Sequence, residues 1–575
     1  MADTKQDVLE MLRELTELTL LEEADPQSFR VRAYENATQA IATQATDLGR
    51  LSSKDLQKIR GVGKSTSEKI RELLETGRVS KLEALRQKYP RSLVALLRLQ
   101  GVGPKALRRL QSELGVQSLA DLRRAIAQQQ LRGLKGFGEK SEQKLAQAIA
   151  RLEQTGALGR TPISIALPHA QRIVAELEQV PGVTHASFCG SLRRFSDTVG
   201  DIDIVVAATH AAAVMDAVVA LPAVDQVLAR GETKTSVVTQ RGVQVDVRVV
   251  QSHQLGAALL YFTGSKSHNV KLRQRALARG WTLNEYALSE LESGNVIASD
   301  TEERIYQALG LPFIAPELRE DWGELDAAER RDLPAPFAAL SGDFHVHTNV
   351  SGDGRAPLED MVASAKERGY AVLALTDHAE GTVSGVSREA LLDQRQRIAQ
   401  LQKQLGPSLR LLHGVELNIG PEGELDYDLE FRRSFDWCVA SVHSHFELDR
   451  ESQTRRLLTA IQDPSVRMLG HLTARMIGGR PPIELDLSRI FRAAQARNVA
   501  VEINGALPRL DPPTDVLREA LSHDVKFLLT SDAHSVGELD LVDFAARHAF
   551  KARIPLQNVA NAWPAERLTA FVTQA

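Results

Sequence analysis

Eight histidines and carboxylates stand at, or just past, the ends of short apolar runs: His345, His347, His378, Glu416, His443, His471, Asp532 and His534. The runs are Asp343–His347, Ala371–His378, Leu409–Glu416, Trp437–His443, Val466–His471, Val499–Asn504 and Val525–His534. Their length and composition predict strands, and helical stretches separate most of them. Repeated strand–helix order predicts a parallel barrel whose strand C-termini share one face. In a strand, residues two apart point the same way, so His345 with His347, and Asp532 with His534, can each serve one ion. Imidazole and carboxylate together suit zinc, manganese or iron, and this many ligands suit more than one ion.

These residues resemble the PHP (polymerase and histidinol phosphatase) domain. The motifs are Asp343-Phe-His-Val-His347, Thr376-Asp-His378, Gly414-Val-Glu416, His443, Gly470-His471 and Ser531-Asp-Ala-His534. The resemblance implies a distorted (β/α)7 barrel with up to three Mn²⁺ and/or Zn²⁺ ions, and a ninth ligand at Asp353. Read alone, Asp353 in Ser351-Gly-Asp-Gly354 is a turn residue. His445 is either an outer group of the centre or a surface histidine. Arg475 is either a phosphate contact or a solvated arginine. Metal-dependent phosphoester hydrolysis is the implied chemistry, with no serine or cysteine nucleophile.

At 575 residues the chain is expected to hold three to five domains. It has 43% apolar and 25% charged residues, both globular values. Cys189 and Cys438 are far apart and predicted to be buried thiols in a reducing cytosol. The start lacks a basic, then apolar, leader, and no apolar run spans a membrane. A cytoplasmic, nucleoid-associated monomer is expected.

Residues 51–150 carry 21 Lys+Arg against 9 Asp+Glu, a net +12, which leaves −16 elsewhere in a chain of net −4. A basic segment in an acidic chain points to a polyanion partner. Three glycine turns occur there: Gly61-Val-Gly63-Lys64, Gly101-Val-Gly103-Pro-Lys105 and Gly136-Phe-Gly138-Glu-Lys140. Each precedes a helical stretch, so backbone amides at a helix start can meet phosphate. The turns resemble the helix-hairpin-helix element, which grips DNA backbone and reads no sequence.

A second chemical centre lies at Gly190-Ser191-Leu-Arg193-Arg194, Gly200-Asp201-Ile-Asp203 and Gln244-Val-Asp246. Asp201 and Asp203 are two apart, and Asp246 completes a triad if its strand is a neighbour. Three carboxylates on one sheet call for cations, here two Mg²⁺.

These motifs resemble the nucleotidyltransferase palm of family X DNA polymerases. The resemblance implies that Gly190, Ser191 and Arg194 hold the incoming triphosphate. Tyr261, Phe262 and Gly264, in Tyr261-Phe-Thr-Gly-Ser265, match the pocket turn that excludes a ribose 2′-hydroxyl. Asn269 matches a contact to the incoming base, and Arg273 one to the template. Asn284-Glu-Tyr286 fits a thumb strand. Two positions depart from the polymerase beta branch: Gln244 replaces an arginine that orients the third aspartate, and Lys266 an aspartate. Tyr34, in Phe29-Arg-Val-Arg-Ala-Tyr34, fits a small 5′-phosphate-binding domain. Lys69 matches a Schiff-base lysine of a deoxyribose-phosphate lyase, and Lys64 and Arg71 are candidates for lowering its pKa.

The expected order is a small helical domain (1–84), a helix-hairpin-helix domain (85–158), palm (159–252), thumb (253–318), a charged Pro-containing linker (319–341) and the barrel (342–575). The expected activity is short-gap DNA synthesis from deoxynucleoside triphosphates on gapped or primer–template DNA. The barrel would add 3′–5′ exonuclease or abasic-site endonuclease activity. The alternatives are a small-phosphoester phosphatase, or a metal-stabilised scaffold in a DNA-end-binding protein.

Overall fold

All seven apolar runs hold strands in the computed structural model. The model describes residues 4–25, 28–42, 48–94, 96, 102–134, 137–139, 142–143, 145–146, 149 and 160–573. The chain forms two compact units, Met1–Arg160 and Thr161–Ala575. Among the described residues, no helix is long and apolar enough to cross a membrane.

The first unit is helical, and its apolar faces meet in one cluster running from Val8 to Ile149. Two of its helices start and stop alike. Lys64–Thr76 follows Gly63 (φ −83°, ψ 172°) and ends at Gly77 (φ 70°). Pro104–Leu114 follows Gly103 (φ −84°, ψ 169°) and ends at Gly115 (φ 67°). Glycine after a helix tolerates the left-handed conformation, and proline suits a first turn. Gly61 is required as glycine: its φ is 105°, and a Cβ there would lie 3.1 Å from the Asn36 carbonyl oxygen. Gly101, Gly136 and Lys140 lie outside the described residues.

The second unit begins with a five-stranded sheet. Its spatial order is Val183–Phe188, Ile202–Ala208, Gln244–Val250, Lys234–Thr239 and Val224–Arg230. The second and third of these run parallel; the other pairings are antiparallel. Three short antiparallel strands follow: Trp281–Leu283, Leu288–Glu290 and Val296–Ala298. Asn284-Glu-Tyr286 forms the turn between the first two rather than a strand. The Asn284 Oδ1 accepts from the Tyr286 and Ala287 amides at 2.9 and 3.0 Å, which closes the turn.

The barrel strands are Gly342–Asp343, Val372–Leu375, Arg410–Asn418, Trp437–Ser441, Val466–Leu469, Ala500–Asn504 and Phe527–Thr530. All are parallel and lie side by side in chain order. A parallel bridge between Val346 and Ala533 brings the two edges together. One end is filled by Phe344, Trp437, Met468 and Leu528, packed against Trp563 and Phe571 near the C-terminus. The other end is left to the metal-ligand types.

Two expectations need correction. Residues 319–329 of the expected linker do not behave as a solvated one: they follow the turn Pro316–Leu318 and hold the helix Glu324–Glu329, with Arg319 and Glu324 fully buried. Their charges have partners. Arg319 Nη1 meets Glu302 Oε1 at 2.5 Å, and Glu324 Oε1 meets His268 Nδ1 at 2.7 Å. Arg475 is neither a phosphate contact nor solvated. It is buried, bonds Asp197 Oδ2 at 2.6 Å and the Arg509 carbonyl at 2.8 Å, and also reaches the Leu510 carbonyl.

Arg475 follows the candidate barrel ligand His471, and Asp197 precedes the candidate palm ligand Asp201, so this pair ties one candidate site to the other. Leu507 and Leu510 of the barrel lie in the palm's hydrophobic core, and Phe550 in the thumb's. Arg475→Ala is expected to cost about 3 kcal/mol, because it strands Asp197 and two buried carbonyls. The check is the apparent melting midpoint of the palm–barrel transition; an unchanged midpoint contradicts the brace.

Candidate metal centres

Six of the seven barrel strands carry candidate ligands at the same end. His345, His347, His378, His443, His471, Asp532 and His534 follow their strands, and Glu416 lies within Arg410–Asn418, two residues before its end. Glu416 sits in the middle, 1% exposed. Its Oε1 lies 3.3, 3.2 and 3.1 Å from the Nε2 atoms of His345, His443 and His471. Its Oε2 lies 2.8 Å from His378 Nδ1 and 3.7 Å from His347 Nε2. Asp532 Oδ1 lies 3.3 Å from His347 Nε2, and Asp353 Oδ2 lies 3.2 and 3.6 Å from the Nε2 atoms of His378 and His534. Three ligand groups are close enough to hold an ion: His347/His378/His534, His345/His347/Asp532 and His378/Glu416/His443.

The donor atoms fit metal. Both Glu416 oxygens, His345 Nε2, both His347 nitrogens and His378 Nδ1 are buried without a hydrogen bond. Buried polar atoms this concentrated need a cation. Burial raises the Glu416 pKa, but His443, His345 and His378 outweigh it and hold the carboxylate well below its usual value.

An outer layer sets the rings, and the sequence did not reveal it. Glu502 Oε1 meets His345 Nδ1 at 2.7 Å and accepts from Thr530 Oγ1 at 2.6 Å, and its other oxygen accepts from the His471 amide. Asn418 Oδ1 lies 2.7 Å from His443 Nδ1. Such partners set ring orientation and tautomer. Alternation within the strands was the available signal: Glu502 is the lone charge in Val499-Ala-Val-Glu-Ile-Asn504. Arg509 was also missed. Its Nε is 3.7 Å from Asp532 Oδ2, and its Nη1 is buried without a partner. His445 is on the exposed side, with Nδ1 3.0 Å from Ser444 Oγ.

In the palm, Asp203 and Asp246 are cross-strand partners on parallel neighbours, and Asp201 immediately precedes the first of these strands. Burial, then repulsion from Asp201 and Asp246, pushes the Asp203 pKa up to about 6. Such mutual repulsion marks a cation site. Gln244, the departure from the polymerase beta pattern, still orients Asp246: its Nε2 donates to Oδ1 at 3.1 Å. Lys234 Nζ adds a contact to Oδ2 at 2.6 Å. The turn Gly190–Arg193 lies against Asp203. Gly190 has φ 62°, and a Cβ there would come within 2.8 Å of the Asp203 Oδ2.

The two arginines of this motif diverge. Arg193 is held bidentately by Glu302 at 3.1 and 2.6 Å, so it is no phosphate donor. Arg194 donates to the Thr263 carbonyl at 2.6 Å and to Glu320 at 3.1 Å. Tyr261 and Phe262 end the helix Leu255–Thr263, edge to face at 5.0 Å. Asn269 donates to the Tyr261 carbonyl at 2.8 Å, and Arg273 stacks over the Tyr261 ring at 5.2 Å. Tyr261, Asn269 and Arg273 line one small pocket with Asn284.

In the first unit, Lys64 and Lys105 are exposed at the first turns of their helices, beside exposed Gly63 and Gly103; Gly138 is exposed too. Lys69 Nζ bonds Ser65 Oγ at 2.8 Å and lies 5.9 Å from the Tyr34 ring centroid. Tyr34 itself is buried in the core. Burial lowers the Lys69 pKa, with Lys81 and Arg30 as the contributing cations rather than Lys64 and Arg71. Cys189 and Cys438 are buried free thiols, as expected.

Four family models match: a helix-hairpin-helix domain over 3–79, a SAM-like helix-hairpin-helix tandem over 93–151, the DNA polymerase beta thumb over 258–320, and the PHP domain over 343–506. The DNA polymerase/3′-5′ exonuclease PolX of Bacillus subtilis (strain 168) is 34% identical over 572 residues, 99% of both chains. A probable phosphatase of Vibrio vulnificus (strain YJ016) is 33% identical over 215 residues, 35% of this chain and 82% of the relative. The DNA polymerase lambda of Rattus norvegicus is 28% identical over 296 residues, 46% of this chain and 48% of the relative.

Glu502→Gln is expected to weaken metal binding by the barrel about 10–100-fold, because His345 loses its orienting carboxylate. A competition titration against a chelator reads this. Parental affinity in a folded Glu502→Gln protein contradicts the outer-layer role.

Proposed function

The chain belongs to the family X DNA polymerases that carry a C-terminal PHP domain, and on that premise we propose that it fills short gaps in DNA during repair and trims 3′ ends in its barrel. The observation that carries the polymerase half is the Asp201/Asp203/Asp246 cluster against the Gly190–Arg193 turn. The observation that carries the nuclease half is Glu416, whose two buried oxygens face five imidazoles without a hydrogen bond.

In the palm, the three aspartates would hold two Mg²⁺. Gly190, Ser191 and Arg194 would bind the triphosphate of the incoming deoxynucleotide. Tyr261, Phe262 and Gly264 would shape the sugar pocket, with Asn269 facing the base and Arg273 the template. In the barrel, His345, His347, Asp353, His378, Glu416, His443, His471, Asp532 and His534 would hold up to three Mn²⁺ and/or Zn²⁺ ions. When bound, these ions activate water or hydroxyl and stabilise charge on the leaving oxygen. Arg509 presents a buried, unpartnered N–H beside Asp532, which suits the non-bridging oxygen of a scissile phosphate. The glycine turns, with Lys64, Lys105 and Lys140, would grip duplex backbone in a sequence-independent way.

A second reading of the barrel is a phosphatase of small esters, favoured by its likeness to the Vibrio phosphatase. End-labelled DNA with Mn²⁺ separates the two: mononucleotide release supports the nuclease, and inorganic phosphate from small esters without nucleotide release supports the phosphatase. Abasic-site cleavage belongs to the same test. Lyase activity at Lys69 is a separate proposal, supported by its half-buried amine beside Tyr34.

Asp203→Ala is expected to abolish nucleotide addition while end-trimming persists, and Asp532→Ala to abolish trimming while much gap filling persists. Near-normal synthesis by Asp203→Ala sinks the palm assignment. Tyr261→Ala is expected to admit ribonucleotides more readily, read by competing sugar substrates. Borohydride is expected to trap parental protein, but not Lys69→Ala or Lys69→Arg, on 5′-deoxyribose-phosphate DNA, since guanidinium stays protonated. Unchanged trapping by Lys69→Ala moves the chemistry elsewhere.

A further inference from the structure

The helix Leu541–Ala552 belongs to the barrel by chain order. Two of its cations nevertheless serve the palm. Arg547 Nη2 donates to the Arg193 carbonyl at 3.1 Å, and Lys551 Nζ to the Arg194 carbonyl at 2.8 Å. These carbonyls close the Gly190–Arg193 turn at the end opposite Gly190 and Ser191. Phe544, on the same helix, stacks on Phe195 with centroids 6.0 Å apart. Lys551 is 5% exposed at its side chain, so this contact is a built part of the fold.

Lys551 also meets Glu320 Oε1 at 2.7 Å, the same oxygen that takes Arg194 Nε at 3.1 Å. One carboxylate of low exposure therefore faces two cations. With Lys551 in place, Glu320 is shared, and Arg194 keeps positive potential for a phosphate. Without Lys551, Glu320 keeps its ion pair with Arg194, and a phosphate must compete with that pair.

We propose that Lys551, carried on the barrel, is a positioning residue of the polymerase: it caps the Gly190–Arg193 turn and shares Glu320, so that Arg194 can bind the triphosphate. The barrel thereby completes the nucleotide site. The proposal rests on the reading of Arg194 as a triphosphate contact.

The test is steady-state gap filling by the full chain at varied deoxynucleotide concentration. Lys551→Met raises KM for the nucleotide about tenfold with kcat near parental, and 3′-end hydrolysis by the same preparation stays at the parental rate. Adding Glu320→Gln removes the competing carboxylate and brings KM back toward the parent, a rescue that a merely structural lysine does not permit. Lys551→Arg keeps KM within about threefold, because the charge remains. An unchanged KM in Lys551→Met, or no rescue in the double variant, overturns the proposal. If Lys551→Met also loses hydrolysis, Glu320→Gln alone decides: KM falls if Glu320 competes for Arg194, and an equal or higher KM overturns it. Arg194→Ala separates the premise. A parental KM there removes the triphosphate reading; a raised KM there, with none in Lys551→Met, removes only the role of Lys551.

Discussion

Burying a carboxylate without a hydrogen bond is so costly that a fold does it only where a cation will sit. This chain does it at Glu416, and the barrel is arranged around that residue. Seven parallel strands lie in chain order, and five imidazoles that follow four of them reach its two oxygens. Glu502 and Asn418 then turn the rings His345 and His443 so that their free nitrogens face inward. The end opposite the ligands is closed by aromatic packing, which leaves one mouth for a phosphate.

The palm solves the same problem on an open sheet. Asp203 and Asp246 are paired across parallel strands, and Lys234 and Gln244 settle Asp246 while Asp203 is left repelled by its neighbours. Between the two sites, charge is again buried in pairs. Arg475 with Asp197 and Lys551 with Glu320 join the loops and helices that carry the two sets of ligands. Palm, thumb and barrel therefore share side chains and hydrophobic cores. Their structures are not independent, even though palm and barrel each carry their own cluster of candidate ligands.

What was legible in the sequence was what depends on neighbours in the chain. Period-two pairs such as His345/His347, histidines and carboxylates in or just past strands, and glycines before helix starts are local patterns; among the described residues the strands lie where expected, and Gly63 and Gly103 each precede a helix. Roles set by distant partners were not legible. Arg475 reads as either a phosphate contact or a solvated arginine until Asp197, 278 residues away, is beside it. Residues 319–341 read as a linker because charged and proline-containing stretches usually are, yet Arg319, Glu320 and Glu324 each have a buried partner. Arg193 looks like a phosphate donor next to Arg194, and only Glu302 shows that it is not. Lys234 and Arg509 have roles of the same kind, whereas Glu502, the lone charge in an apolar strand, did carry a local signal.

Anomalous diffraction from crystals equilibrated with Mn²⁺ bears most directly on the role given to Glu416. Peaks are expected within bonding distance of the Glu416 carboxylate and of the clustered groups His347/His378/His534, His345/His347/Asp532 and His378/Glu416/His443. A Glu416 that binds no ion, with its oxygens hydrogen-bonded to protein or water at full Mn²⁺ loading, would contradict the metal centre and the hydrolysis derived from it.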